Sequence, residues 1–348
     1  RKDSIMQLIK PQKLNNGDIV ALISPSWGCA GAPRVKWKYK LGCKRLEEIG
    51  LNVVSAPNAL KGETYLQKNP EARAYDVMWA FSNPDVKAVI CNIGGNDTES
   101  ILEFIDSEVI SNNPKIFCGY SDAMSLHLYL NQLGLMTYYG DNLLTAIAEQ
   151  NCWHPYSKDA FIKAFFDNSV FGEIRPSDEV SFSANNHTNR TYKKKYIKNK
   201  GYSIIQGNGV ACGKLIGGHG GIVEYAENSI IKMTDSDFRN RILFFEDIDQ
   251  VCDCNYIQQF FQRLGQKGWL QLLNGIIIGQ MKIGENFDRL SETVKNVISG
   301  EYNLTDLPVV YGLNIGHISP ITIIPYGGEA KISIDNNIRF VITESLVR

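Results

Sequence analysis

The first 150 residues repeat one pattern: a short, nearly continuous apolar run, a corner marked by glycine, serine or proline, then a stretch with helical spacing. "DIVALISPS" (18–26) leads into "RVKWKYKLGCKRLEEIG" (34–50), which stops at Gly50, where a glycine acts as a helix C-terminal signal. "LNVVSAP" (51–57) reads as a strand and "PEARAYDVMWAFSNP" (70–84) as a helix closed by Asn-Pro. "VKAVICNIGG" (86–95) is a buried strand ending in paired glycines, and "TESILEFID" (98–106) a helix. "KIFCGYS" (115–121) and "DAMSLHLYLNQLG" (122–134) complete the series as strand and helix. Strands this apolar must be covered on both faces, which predicts a Rossmann-like α/β domain with a parallel sheet. Such sheets gather ligands at the carboxyl ends of their strands, and Gly94-Gly95 and Ser121 both fall there.

From Trp153 to Gly201 the rhythm fades. "PSDEVSFSANNHTNRTYKKKYIKNKG" (176–201) is polar, basic and irregular, as a linker or long substrate loop would be. Its run Lys193-Lys194-Lys195, with Lys198 and Lys200, reads as a solvated face. A second block then begins. "GYSIIQGNGVACGKLIGGHGG" (201–221) alternates like glycine-rich hairpin strands, "RILFFEDI" (241–248) is a buried strand and "NYIQQFFQRLGQKGWL" (255–270) an amphipathic helix. "LNGIIIGQM" (273–281) is another strand, "LPVVYGLNIGHISP" (307–320) a strand entering a Gly-His turn, and "ITIIPYGGEAKISID" (321–335) closes the sheet. The expected division is an N-terminal α/β domain over 1–165, a linker or substrate loop over 166–201, and a C-terminal β-rich α/β domain over 202–348.

Composition removes several function classes. Lys plus Arg number 36 and Asp plus Glu 37, so no global basic field exists to attract nucleic acid or an acidic membrane. No run of about eighteen apolar residues predicts a membrane span, and the charged N-terminal stretch lacks the apolar core of a signal peptide. The eight cysteines are scattered, and the single close pair, Cys252 and Cys254, has no second pair or nearby histidine to complete a zinc site. They read as reduced thiols of a cytoplasmic protein without a metal. No G-x-G-x-x-G follows the first strand, which disfavours a nucleotide-binding dehydrogenase.

Four pieces carry chemistry. Ser121 is either a helix N-cap or a nucleophile held at a strand-to-helix corner, with Gly119 two residues before it and Ala123 where the second glycine of G-x-S-x-G would stand. Met124 denies it a capping box. Among the five histidines, His127 lies in an apolar helix and reads as a core residue, while His154 and His187 sit in irregular segments and His219 follows a glycine pair. His317, in "NIGHISP" (314–320), projects from a turn after a buried strand, as a catalytic loop residue would. Glu246 is an acid at an apolar strand end, rare without a partner, with Asp247 its solvated rival. Gly94-Gly95 could present backbone N–H groups to an oxyanion, though tight turns use the same pair.

Taken in order, "SPS", "IGGND" with Thr98 and Ser100, "GYSDA", "LIGG", "LFFEDI" and the Gly316-His317, Ser319-Pro320, Thr322, Ile324-Pro325 and Gly327 series resemble the serine carboxypeptidase family of L,D-carboxypeptidases and microcin C self-immunity proteins. The resemblance spans about residues 14 to 340. It implies a two-domain hydrolase, commonly a homodimer, that needs no metal or cofactor and acts on a small molecule. By resemblance Ser121 is the nucleophile, Glu246 the orienting acid and His317 the base, with the N–H groups of Gly95 and Asp122 as oxyanion hole.

Ile93 and Asn96 stand where peptidoglycan-recycling members usually have an arginine and an aromatic residue. Together with "GYSDAMSLHLYL" and "TYYGDNLLT" they are closer to the immunity branch, which cleaves the amide between an amino acid and a modified nucleotide. Gly94, Asn96 and His219 would then contact substrate, His219 replacing the branch's usual Asn, while Asp141 replaces its usual Pro. No tryptophan occurs between Trp153 and Trp269 to stack a nucleobase, so Tyr192 or Tyr196 would have to serve. The competing expectations are a muropeptide L,D-carboxypeptidase releasing D-alanine and a ligand-binding member without catalysis.

Overall fold

The computed structural model describes residues 8–225 and 229–348; the first seven residues of the charged N-terminal stretch 1–18, read above as lacking the apolar core of a signal peptide, lie outside the described residues. The N-terminal strands are β1 (Ile19–Ile23), β2 (Asn52–Ser55), β3 (Val86–Cys91), β4 (Ile116–Gly119) and β5 (Tyr138–Tyr139). The C-terminal half adds β6 (Gly172–Ile174), β7 (Glu179–Val180), β8 (Ile197–Lys198), β9 (Ser203–Gln206), β10 (Gly209–Gly218) and β11 (Arg241–Phe245). It continues with β12 (Gly275–Gly279), β13 (Val309–Leu313), β14 (Ile324–Pro325), β15 (Glu329–Ile334) and β16 (Ile338–Ile342).

The first sheet runs β14-β5-β4-β3-β1-β2, parallel from β2 to β5 as the apolar runs predict. Val20, Leu22, Val89, Ile90, Ile116 and Phe117 are fully buried within it, consistent with cover on both faces. The second sheet runs β6-β16-β15-β10-β11-β12-β13-β9, with β10 to β13 parallel and antiparallel strands outside them. The fold is therefore mixed α/β with two domains.

Three expectations are corrected. Residues 201–221 form no hairpin: β9 pairs with β13 while β10 pairs with β11 and β15, because Gly207 and Gly209, both at positive φ, turn the chain without returning it along itself. The stretch 321–335 does not close one sheet. Its first part, β14, pairs with β5 of the N-terminal sheet and only β15 enters the C-terminal one. The fading segment is also more ordered than its composition implies, with a helix over Pro155–Phe166 started by proline at its first turn.

Nor is the lysine run wholly solvated. Lys194 is buried, its Nζ 3.3 Å from the Glu149 carboxylate, which also accepts from the hydroxyls of Tyr196 (2.6 Å) and Ser319 (2.7 Å). Ser181 and Ser319 exchange backbone hydrogen bonds of 2.7 and 3.0 Å. The middle segment is thus fastened to the turn that carries His317. Removing one member of a buried ion pair leaves the other uncompensated, so Lys194→Met should lower unfolding free energy by about 3 kcal/mol; equilibrium denaturation measures this.

Candidate active site

Ser121 closes β4. Tyr120 is extended, and Ser121 takes φ +65° before the chain enters a short 3-10 turn and the helix Met124–Gln132. Left-handed backbone at a non-glycine residue carries strain and concentrates at functional sites. The serine makes no side-chain cap, so the N-cap alternative is set aside. Its backbone N–H donates to the Tyr139 hydroxyl at 3.1 Å.

Ser121 Oγ lies 3.0 Å from His317 Nε2, and His317 Nδ1 lies 2.8 Å from Glu246 Oε2. A carboxylate only accepts, so Nδ1 carries the proton and Nε2 of the neutral ring is the acceptor facing the hydroxyl. Glu246 is 1 % exposed. Its Oε2 also accepts the His317 backbone N–H at 3.2 Å, and its Oε1 accepts from the Tyr139 hydroxyl. Burial opposes ionisation of Glu246, yet His317 and the surrounding donors outweigh it and hold the carboxyl below its ordinary range. Burial likewise opposes a charged His317, and Glu246, with Asp247 and Asp249, outweighs that and raises the imidazole. Asp247 is buried rather than solvated, accepting from Gly220 N–H at 3.0 Å and the Tyr256 hydroxyl at 2.5 Å.

Two glycines make these distances possible. A Cβ on Gly94 would lie 2.9 Å from Ser121 Cβ, and one on Gly316, at φ +77°, would lie 2.0 Å from the carboxyl carbon of Glu246. The loop after Gly94-Gly95 is pinned by the buried Asp122 side chain. Asp122 Oδ2 accepts from Ser26 Oγ (2.5 Å), Asp97 N–H (2.8 Å), Thr98 N–H (2.7 Å) and Thr98 Oγ1 (2.7 Å). Ser26 Oγ accepts in turn from Asn96 N–H at 3.0 Å.

His219 stands just past β10, its Nδ1 accepting Gly221 N–H at 3.1 Å. Burial holds it neutral despite nearby Asp247, Glu246 and Asp122, so Nε2–H is a donor. It borders a cavity of about 270 Å³ shared with Gly220, Tyr256 and Arg263. A separate cavity of about 530 Å³ is bounded by Ser26, Trp27, Glu63, Gln67, Asn96 and Asp97.

The hydroxyls of the two tyrosines considered for stacking are hydrogen-bonded within the protein. Tyr192 donates to the Ala184 carbonyl at 2.9 Å, and Tyr196, bonded to Glu149 and Ser319, borders a different cavity with His154 and Arg175. His127 is a core residue, its Nε2 2.8 Å from Gly119 O. Sequence reasoning gave no role to Ser26, Thr98, Tyr139 or Trp27. Ser26 and Tyr139 lay within quoted motifs, but nothing in their spacing signals the partner each meets. Among the described residues no His, Cys, Asp and Glu cluster is placed to hold a metal, and no helix is long and apolar enough to cross a membrane.

Residues 20–140 match the LD-carboxypeptidase N-terminal domain and residues 212–332 its C-terminal domain. A probable murein peptide carboxypeptidase of Bacillus subtilis is 30 % identical over 93 % of this chain and 91 % of its own length. The microcin C7 self-immunity protein MccF of Escherichia coli is 26 % identical over 92 % of each. The crystal structure of an MccF-like protein from Streptococcus pneumoniae in complex with AMP superposes with a TM-score of 0.84 at 28 % identity, covering 94 % of this chain and 99 % of that one. With both domains matched in order around a hydroxyl–imidazole–carboxylate chain, this protein belongs to the LD-carboxypeptidase family, a family of hydrolases.

Proposed function

We propose that the protein hydrolyses the amide between an amino acid and a modified nucleotide, using Ser121 as nucleophile, His317 as base and Glu246 as the group that orients and charges-balances the imidazole. The observation that carries the chemistry is the unbroken hydrogen-bond chain from Ser121 Oγ through His317 to buried Glu246. His317 Nε2 accepts the Ser121 proton as Oγ attacks the carbonyl carbon. The donors proposed for the oxyanion are the backbone N–H groups of Gly95 and of Asp122, the residue after the nucleophile. The imidazolium, stabilised by Glu246, then gives its proton to the departing nitrogen, and water attacks the acyl-enzyme by the same route.

The nucleotide part of the reading is supported by the AMP complex of the pneumococcal neighbour. His219 Nε2–H and the Asn96 corner are the proposed substrate contacts. A muropeptide substrate is the second reading, favoured by the 30 % identity to the murein peptide carboxypeptidase.

Purified protein should release the free amino acid from an aminoacyl-sulfamoyl adenosine and no D-alanine from a muramoyl tetrapeptide; the reverse result would transfer the chain to the second reading. Ser121→Ala should lower kcat on the order of 10⁴-fold or more, because members of such a unit fail together. A variant keeping most of its rate would refute the nucleophile assignment. Gly316→Ala, which drives a methyl group into Glu246, should cost about 100-fold through misplacement of the imidazole.

The pH profile follows from the raised imidazole. A base acts when neutral, so kcat/KM should rise with pH through an apparent pKa above the ordinary histidine value of about 6.5. Glu246→Gln removes the charge that favours the imidazolium. Its residual activity should therefore titrate at lower pH than wild type, while its rate falls.

A further inference from the structure

A buried phenol meets both ends of the hydrogen-bond chain, and the chemistry above does not use it. Tyr139 is 1 % exposed. On β5 it pairs with Gly119 of β4, two residues before Ser121, and with Ile324 of β14. Its ring is walled in by Phe244, Tyr326 and Tyr120, with ring centres 5.5, 6.1 and 6.2 Å away. The hydroxyl so held makes two contacts. A carboxylate only accepts, so the phenol donates its single proton to Glu246 Oε1. Its oxygen accepts the Ser121 N–H at 3.1 Å. Burial and the nearby Glu246 push its own ionisation well above the ordinary range, so it remains a donor while Glu246 is charged.

These contacts close a circuit that begins and ends on Ser121. It runs from the Ser121 N–H to Tyr139, then to Glu246 Oε1, and from Oε2 to His317 Nδ1; His317 Nε2 meets Ser121 Oγ. We propose that Tyr139 is a positioning residue of the hydrolase, sharing the Glu246 charge with His317 while holding Ser121 by its backbone. The inference rests on the serine, histidine and glutamate roles proposed above, and is independent of which amide is cleaved. The Ser121 N–H is spent on the phenol, which withdraws it from the oxyanion and leaves that task to the proposed donors Gly95 and Asp122. A donor on Oε1 also draws negative charge from Oε2, so Glu246 holds the imidazole proton less tightly than a bare carboxylate would. The phenol thereby keeps more of His317 in the neutral form that acts as base. The other groups facing the pair are Asp247 and Asp249 near His317 and His219 near Glu246, and a change confined to the phenol leaves all three in place.

The test is Tyr139→Phe, which keeps the aromatic ring, with Tyr138→Phe as control. Tyr138 is equally buried, but its hydroxyl donates to the Leu346 carbonyl instead. The His317 imidazole is titrated by NMR in histidine-labelled protein without substrate, its signal assigned by loss in His317→Gln. In Tyr139→Phe it should titrate at higher pH than in wild type, opposite in sense to Glu246→Gln. On whichever of aminoacyl-sulfamoyl adenosine and muramoyl tetrapeptide wild type cleaves, kcat should fall about 10-fold or more with KM little changed. Tyr138→Phe should move neither readout. An unmoved titration or a wild-type kcat in Tyr139→Phe, or the same change in both variants, overturns the proposal and leaves the nucleophile assignment intact. Should wild type cleave neither compound, the hydrolase reading fails, and the titration alone decides whether Tyr139 shares the Glu246 charge. If circular dichroism shows Tyr139→Phe unfolded, 3-fluorotyrosine at position 139 keeps the hydroxyl and makes it a stronger donor. Titration of His317 at lower pH then upholds the proposal, and an unmoved titration overturns it.

Discussion

A carboxylate buried at the seam of two sheets organises this molecule. Glu246 stands at the carboxyl end of β11 with almost no solvent, where an isolated charge would cost several kcal/mol. The fold answers with donors from both halves of the chain: Tyr139 from the N-terminal sheet, and His317 by its backbone and its ring. Tyr139 also accepts the backbone N–H of Ser121. One hydroxyl therefore couples the strained corner to the acid, and the group that satisfies a buried charge also holds the serine in place.

The return of the chain makes this geometry possible. After β13 the backbone leaves the C-terminal sheet, carries His317 across, and adds β14 to the edge of the N-terminal sheet. His317 therefore hangs from a span fixed at both ends. Ser157 holds Ile321 N–H at 2.9 Å and Ile321 O at 2.7 Å, and Asn314 Nδ2 donates to Pro320 O at 3.1 Å. Glu149 grips Ser319 from below. An imidazole on a free loop would keep its hydrogen bonds a fraction of the time; tethered on two sheets, it is pre-organised.

Much of the N-terminal sheet was legible because its strands are buried on both faces and announce themselves as apolar runs between glycine and proline corners. Ser121, Glu246 and His317 stood out for local reasons, as a hydroxyl at a strand-to-helix corner, an acid in an apolar strand, and a histidine in a glycine turn. Tyr139 and Ser26 did not, since a tyrosine in an apolar run and a serine before tryptophan look like packing and turn residues until their partners, 107 and 96 positions away, are known. Short edge strands such as β6 and β14 escaped for the same reason, because two or three residues carry no period and pairing alone defines them. Lys194 was misread because a basic run looks solvated unless the acid beneath it is visible.

A second buried acid shows why Ser121 tolerates its backbone. Asp122 follows it directly and binds Ser26, Asp97 and Thr98, closing the loop after β3 against the turn after β1. Four donors converge on one oxygen, each worth about 1.5–3 kcal/mol when the acceptor is charged. A left-handed serine costs about 1–3 kcal/mol. The neighbouring carboxylate thus over-determines the strained residue, and relaxing Ser121 would withdraw Asp122 from all four partners. The same withdrawal would loosen Gly94-Gly95, so nucleophile corner and glycine loop move as one body.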